Sequence, residues 1–143
     1  GGGWGLGMSQ FIGAVSLLVP DYDAGLEFYV QKLGFDLIED TKIEPEKRWV
    51  LVAPKGSTQT RLLLAKASRE AEAAAIGNQA GGRVWLFLHT DDFDRDYTSM
   101  KAAGVQFLEE PRNEPYGKVV VFQDPFGNKW DLIQRYDAAK PTS

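Results

Sequence analysis

The chain repeats itself. At an offset of 70 residues, "LGFDLIED" (33–40) lines up with "AGVQFLEE" (103–110). "VAPKGS" (52–57) lines up with "QDPFGN" (123–128), and "LLVPDYDAGLEFY" (17–29) answers "LHTDDFDRDYTSM" (88–100), both at an offset of 71. The match is one of pattern rather than identity. One supersecondary unit used twice leaves this signature, and it constrains the fold more than any composition value.

Each copy reads as a strand, a helix and three strands. In the first, "FIGAVSLLV" is an apolar strand, and "PDYDAGLEFYVQKLG" is a helix. Asp21 or Asp23 can cap that helix, and Gly34 can close it in the left-handed region. Ala24, Leu26, Phe28, Tyr29 and Leu33 form its apolar stripe. "FDLIEDTKI", "RWVLVAP" and "TRLLLAK" follow as strands, the last two joined by a turn around Pro54–Gly56. In the second copy "GRVWLFLHT" is a strand. "DDFDRDYTSMKAAG" is a helix capped by Asp91 or Asp92 and closed by Gly104. "VQFLEEP", "GKVVVFQD" and "KWDLIQRY" are strands.

The expected architecture is α+β: two βαβββ modules forming a curved open sheet around a groove, with the helices outside. The first module spans 8–65 and the second 83–136. The Ala-, Glu- and Gly-rich stretch 66–82 reads mainly as a connector with room for a short helix. The Gly-rich residues 1–7 read as a cloning remnant, and 137–143 as a disordered tail.

Composition narrows the function. The 143 residues suit one domain, and 43% apolar residues supply a core. A net charge of −4 with no basic stripe argues against nucleic acid. No apolar run approaches the roughly 18 residues of a membrane span, and no secretory signal pattern is present. Cysteine is absent. That removes disulfides and thiolate chemistry and fits the cytoplasm. His89 is the one histidine, so a three-histidine metal site cannot form within a single chain.

Strand alternation assigns faces. Ala14, Ser16 and Leu18 line the groove on the first strand, with Arg61 and Leu63 on the fourth. Trp85, Phe87 and His89 follow in the second module, with Lys129, Asp131 and Ile133 on the last strand. Val84, Leu86, Leu88, Leu62, Leu64, Trp130 and Leu132 turn to the helices. Arg48, Trp49 and Tyr116 sit where they can edge the groove. The lining is aromatic and apolar with a few polar groups, as in a small-molecule pocket. Core or dimer packing is the plainer reading of Trp85, and an exposed or capping position that of His89. "DDFDRD" is most simply a helix start whose carboxylates complement the dipole.

Through "VPDYDAGLEFYVQKLGF", "VWLFLHTDDFDRDYTSMKAAGVQF" and "FQDPFGNKWDLIQ", the chain resembles the vicinal oxygen chelate superfamily over roughly 11–136. That group includes glyoxalase I, extradiol dioxygenases and bleomycin-resistance proteins. The resemblance implies paired βαβββ modules. In metal-dependent members it also implies four ligand positions, on the first and last strand of each half. They map to Ala14, Arg61, Trp85 and Asp131. Only Asp131 can coordinate a metal: Ala14 has no donor, an indole N–H does not ligate, and Arg61 stays cationic. The expectation is therefore no metal and no cofactor. Arg61 and Asp131 would form an ion pair where a metal would sit, or Arg61 would hold a carboxylate ligand. The resemblance implies a small-molecule binder of the bleomycin-resistance type, whose groove a second chain often completes, hence a homodimer. The alternatives are a metal-dependent glyoxalase-like lyase, isomerase or dioxygenase, a metal-free enzyme with Asp131 or His89 as base, or a dimerising protein without a ligand.

Overall fold

The computed structural model describes residues 9–137. Residues 1–7, and the tail apart from Asp137, lie outside them. The chain forms two open sheets with few helices. In chain order the elements are β1 (Ala14–Val19), α1 (Tyr22–Leu26) running on as a π-helical segment (Glu27–Lys32), β2 (Asp36–Glu44), β3 (Lys47–Ala53) and β4 (Arg61–Lys66). Then come α2 (Glu70–Ala75), β5 (Val84–His89), α3 (Phe93–Ala102), β6 (Gln106–Phe107), β7 (Arg112–Glu114), β8 (Gly117–Gln123) and β9 (Lys129–Arg135).

The first sheet has the order β1-β4-β3-β2 and the second β5-β9-β8-β6, with β7 also on β8. In each, the first strand runs parallel to the last and the other pairings are antiparallel. The same βαβββ path is therefore traced twice.

Asp21 caps α1 by accepting from the Ala24 N–H at 2.7 Å, and Asp92 caps α3 through the Arg95 N–H at 3.1 Å. Of the two candidates at each start, these are the residues with extended or otherwise non-helical backbone at the cap position. Gly34 (φ +86°) and Gly104 (φ +92°) close the helices, as expected. The π segment was not legible in the sequence. The Leu33 N–H reaches back to the Phe28 carbonyl at 2.8 Å, and Phe28 and Tyr29 are both buried beside it.

The second module departs from the first after α3. The expected strand over 105–111 shrinks to β6, and β7 takes up pairing with β8 instead. Pro111 interrupts the ladder, having no N–H to give. The Glu109 carboxylate fills the gap, accepting from the Val121 N–H at 3.0 Å.

The connector does more than link. The Gln79 side-chain amide accepts from the Leu18 N–H at 2.8 Å and donates to the Ser16 carbonyl at 3.1 Å, covering the free edge of β1. Gly77 (φ +72°) lies so close to the Phe126–Gly127 turn that an added Cβ would fall 1.8 Å from the Phe126 oxygen.

One interior serves both sheets. Leu17, Val19, Val50, Val52, Leu62 and Leu64 of the first pack in the same cluster as Phe122, Trp130 and Leu132 of the second, around Phe28, Tyr29, Phe93 and Met100. Trp130 stacks on Phe122 at 5.7 Å and tilts against Tyr29 at 5.9 Å. The opposite face of each sheet turns away from this interior and carries exposed Ala14, Ser16, Phe87 and His89.

Candidate functional site

The outward faces hold most of the residues that the sequence singled out. On the first sheet, Ser16 lies opposite Leu63, and Leu63 opposite Leu51. Arg61 lies opposite Ala14 at the end of β4. Trp49, 39% exposed, stands two residues from Leu51 on the same side. On the second sheet, Phe87 lies opposite Asp131, and Asp131 opposite Val121. His89 lies opposite Ile133 one step further along. Phe87 is 59% exposed. An aromatic ring on open surface thus adjoins a carboxylate.

These registers correct one expectation. Ser16–Leu63–Leu51 and Phe87–Asp131–Val121 occupy the same row in the two copies, so the counterpart of Asp131 is Leu63, not Arg61. The cause is turn length. Seven residues separate Ala53 from Arg61, whereas five separate Gln123 from Lys129. The two extra residues shift Arg61 along the strand from the position that matches Asp131.

The expected Arg61–Asp131 ion pair is also corrected: among the described residues no salt bridge joins them. Instead the Nε of Arg61 and the Oδ1 of Asp131 are both buried without a hydrogen-bond partner. Burial pushes the Asp131 carboxyl above its ordinary 3.8. Arg112 opposes that rise and Glu109 adds to it. Arg112 is itself held by both oxygens of Glu109 at 3.0 Å and by Glu114. Neither Glu109 nor Arg112 was singled out from the sequence. The opposite charges three apart in "EEPRNEP" were the available signal.

Trp85 does not share the face of Phe87. The register slips between Val84 and Leu86, a bulge that breaks alternation. Trp85 is half-buried and packs against the core with Leu86 and Leu88. Arg48 is on the helix side of its sheet. It pairs with Asp23 at 3.0 Å and Asp40 at 2.8 Å and lies 5.2 Å over the Tyr22 ring. Tyr116, 42% exposed, sits at the β7–β8 turn. His89 also opens onto a crevice of about 1090 Å³ between the end of α1 and α3, shared with Phe35, Arg95 and Gln134. There Arg95 is already engaged by Asp91 and Asp96, both at 3.0 Å.

A divalent ion does not fit the outward faces. At the four positions that correspond to metal ligands in the resembling group, only Asp131 offers a coordinating oxygen, and Arg61 would repel a cation. Moving to the register-matched row substitutes Leu63 and Phe87, which offer nothing, and Ser16, whose single neutral hydroxyl does not complete a site with Asp131. Among the described residues no three of His, Cys, Asp and Glu converge. No described helix is long and apolar enough to cross a membrane.

Comparison with known proteins agrees with the architecture. Residues 11–132 match the family model described as "Glyoxalase/Bleomycin resistance protein/Dioxygenase superfamily". An "Uncharacterized protein" of Shewanella frigidimarina (strain NCIMB 400) is 54% identical over 131 residues, covering 91% of this chain and 97% of that one. Among solved structures, UcmS2 is 30% identical with a TM-score of 0.76, over 88% of this chain and 98% of its own. TnmS3, described as an antibiotic binding protein from Streptomyces sp. CB03234, is 32% identical with a TM-score of 0.71, over 90% and 98%.

Proposed function

Because the chain belongs to the glyoxalase/bleomycin resistance protein/dioxygenase superfamily, we propose that it is a metal-independent binder of hydrophobic, aromatic small molecules, with the site completed by a second copy of the chain. The observation that carries this reading is the pairing of Phe87 with Asp131. A ring 59% exposed lies beside a carboxylate with one buried, unpartnered oxygen. An exposed ring is a stacking platform that needs a flat partner, and the half-buried Asp131 carboxylate beside it is an acceptor that needs a donor. A flat ligand with an amine or hydroxyl supplies both needs. Trp49, Leu63 and Ser16 on the first sheet offer a second wall of similar character. Likeness to TnmS3, described as an antibiotic binding protein, supports the binding of a small molecule.

The homodimer follows from the same faces. A site on one sheet is open on its far side, and binding sites bury most of their ligand. The first-sheet face of another copy can close it.

The test is tryptophan fluorescence of the tag-free protein, titrated with flat polycyclic aromatic compounds, cationic and neutral. Saturable quenching that weakens on Phe87→Ala is expected. Absence of quenching by every compound overturns the binding reading. Stoichiometric zinc, nickel, manganese or iron in protein purified without a tag overturns metal independence.

A further inference from the structure

The crevice of about 1090 Å³ between the end of α1 and α3 is a second concavity, and neither Phe87 nor Asp131 lines it. Leu33 and Phe35 of the first module and Leu88 and Met100 of the second give it apolar walls. Clefts of this kind between modules are a common setting for small ligands. Its polar groups divide by what they already hold. The carboxylates are spent inside the chain. Asp96 takes Arg95 at 3.0 Å and the Thr90 hydroxyl, and Asp91 takes Arg95 at 3.0 Å. Gln134 accepts from the Phe93 N–H at 2.9 Å and donates to the Asp91 carbonyl at 3.0 Å. Arg135 pairs with Asp137 at 3.3 Å. Three lining donors remain. The side chains of Lys55, His89 and Ser99 make no hydrogen bond or ion pair among the described residues. Lys55 stands in the β3–β4 turn of the first module, His89 on β5 and Ser99 on α3 of the second. Apolar walls, neutralised carboxylates and a spare ammonium together complement an anion with an apolar body.

We infer that this crevice is a second ligand site, separate from the outward faces, for a small apolar molecule that carries one acidic group, a carboxylate or sulfonate. The acidic group meets the Lys55 ammonium, with the Ser99 hydroxyl and a His89 ring N–H as further donors. The apolar body lies against Leu33 and Leu88, which are only partly covered by the chain itself. The inference goes beyond the proposed function. The ligand of the outward face brings a donor to Asp131, whereas the ligand of the crevice brings the acceptor. Lys55 belongs to one module and Ser99 and His89 to the other, so a bound ligand ties the modules together and raises the unfolding midpoint.

The experiment titrates the protein with anilinonaphthalene sulfonate, whose emission rises in apolar surroundings, and with phenylnaphthylamine, the same rings without the sulfonate. All titrations are run in the Phe87→Ala background, which removes the exposed ring of the outward face. Lys55 and Ser99 are exposed, so their substitution spares the fold. Saturable binding of the sulfonate is expected, weakened at least about fivefold by Lys55→Ala and by Ser99→Glu and kept within about twofold by Lys55→Arg. Phenylnaphthylamine is expected to change less than about twofold on Lys55→Ala. The sulfonate is expected to raise the unfolding midpoint, and to raise it less once Lys55 is replaced. Sulfonate binding that is present in wild type and absent from Phe87→Ala places the ligand on the outward face, which supports the proposed function and overturns this inference. Binding indifferent to both Lys55 and Ser99 overturns it, as does equal weakening of the two probes by Lys55→Ala. A change of association state in Lys55→Ala or Ser99→Glu, read by sedimentation with probe binding unaltered, makes the crevice a contact between copies and overturns it as well.

Discussion

The Tyr29 hydroxyl donates a hydrogen bond of 2.5 Å to Asp124, a residue 95 positions away in the other module. The same hydroxyl accepts from the Trp130 indole N–H at 3.1 Å. Asp124 is fully buried. Its Oδ1 accepts from the backbone N–H groups of Phe126, Gly127 and Asn128, and Oδ2 from the Asn128 amide. One carboxylate therefore builds the "DPFGN" turn and ties it to α1. Burial, then the Asp124 charge, pushes the Tyr29 hydroxyl well above its ordinary 10.0, so the hydroxyl stays a donor. Removing it with Tyr29→Phe leaves a buried carboxylate lone pair unmet and is expected to cost about 1–3 kcal/mol in urea unfolding. Asp124→Ala strands the Phe126 and Asn128 N–H groups, the Asn128 amide and the Tyr29 hydroxyl together and is expected to cost more than Tyr29→Phe.

Phe87 and Trp85 should behave in opposite ways although they are neighbours but one. Phe87→Ala removes an exposed ring and is expected to leave stability within about 0.5 kcal/mol of wild type. It should weaken aromatic ligands by about tenfold. Trp85→Ala empties a half-buried position against the core and is expected to cost about 2–4 kcal/mol. Chemical unfolding and fluorescence titration of the two variants check both halves of this contrast.

Asp131 has a raised carboxyl pKa in the single chain, so its folded form takes up a proton more readily than its unfolded form. The ionised group then destabilises the fold at pH values above that raised pKa, and the penalty fades as pH falls toward 3.8. Asp131→Asn carries no such titration. The wild type is expected to gain stability relative to the variant on acidification through this window. Urea melts from pH 7 to pH 4 measure the difference. A gap that moves the other way contradicts desolvation as the dominant influence.

Gly77→Ala tests the connector. The added methyl would collide with the Phe126 carbonyl, and φ is +72°. Loss of more than about 2 kcal/mol is expected, since both the close approach and the left-handed backbone are denied. Gly56 has a similar φ of +78° but nothing within 4 Å of its would-be Cβ. Gly56→Ala should cost about 1 kcal/mol, from backbone strain alone.

Much of the fold is readable in the chain, because its signals are local. Alternating aliphatics mark β1, β3, β4, β8 and β9, and Asp–helix–Gly units mark both long helices. What escaped depends on partners remote in sequence. The choice between Asp21 and Asp23 turns on backbone geometry at one residue. The Trp85 bulge depends on how β5 meets β9, and it removes Trp85 from the face that alternation assigns it. The mismatch of Arg61 with Asp131 arises because a repeat alignment is blind to which of two turns is longer until strand partners fix the row. Glu109 was invisible as a strand substitute because its role is set by the orphan N–H of Val121.

Gln79 has a practical corollary. Its amide occupies the place where another strand would dock, so the edge of β1 is sealed by one side chain. A peptide spliced into the exposed stretch Ser68–Ala71 would project from the surface with the seal intact. The same peptide spliced between Gly77 and Gln79 would pull the plug, and the bared N–H of Leu18 and carbonyl of Ser16 would recruit strands from other molecules. Where an insertion is placed within one short connector thus decides whether the edge of β1 stays covered.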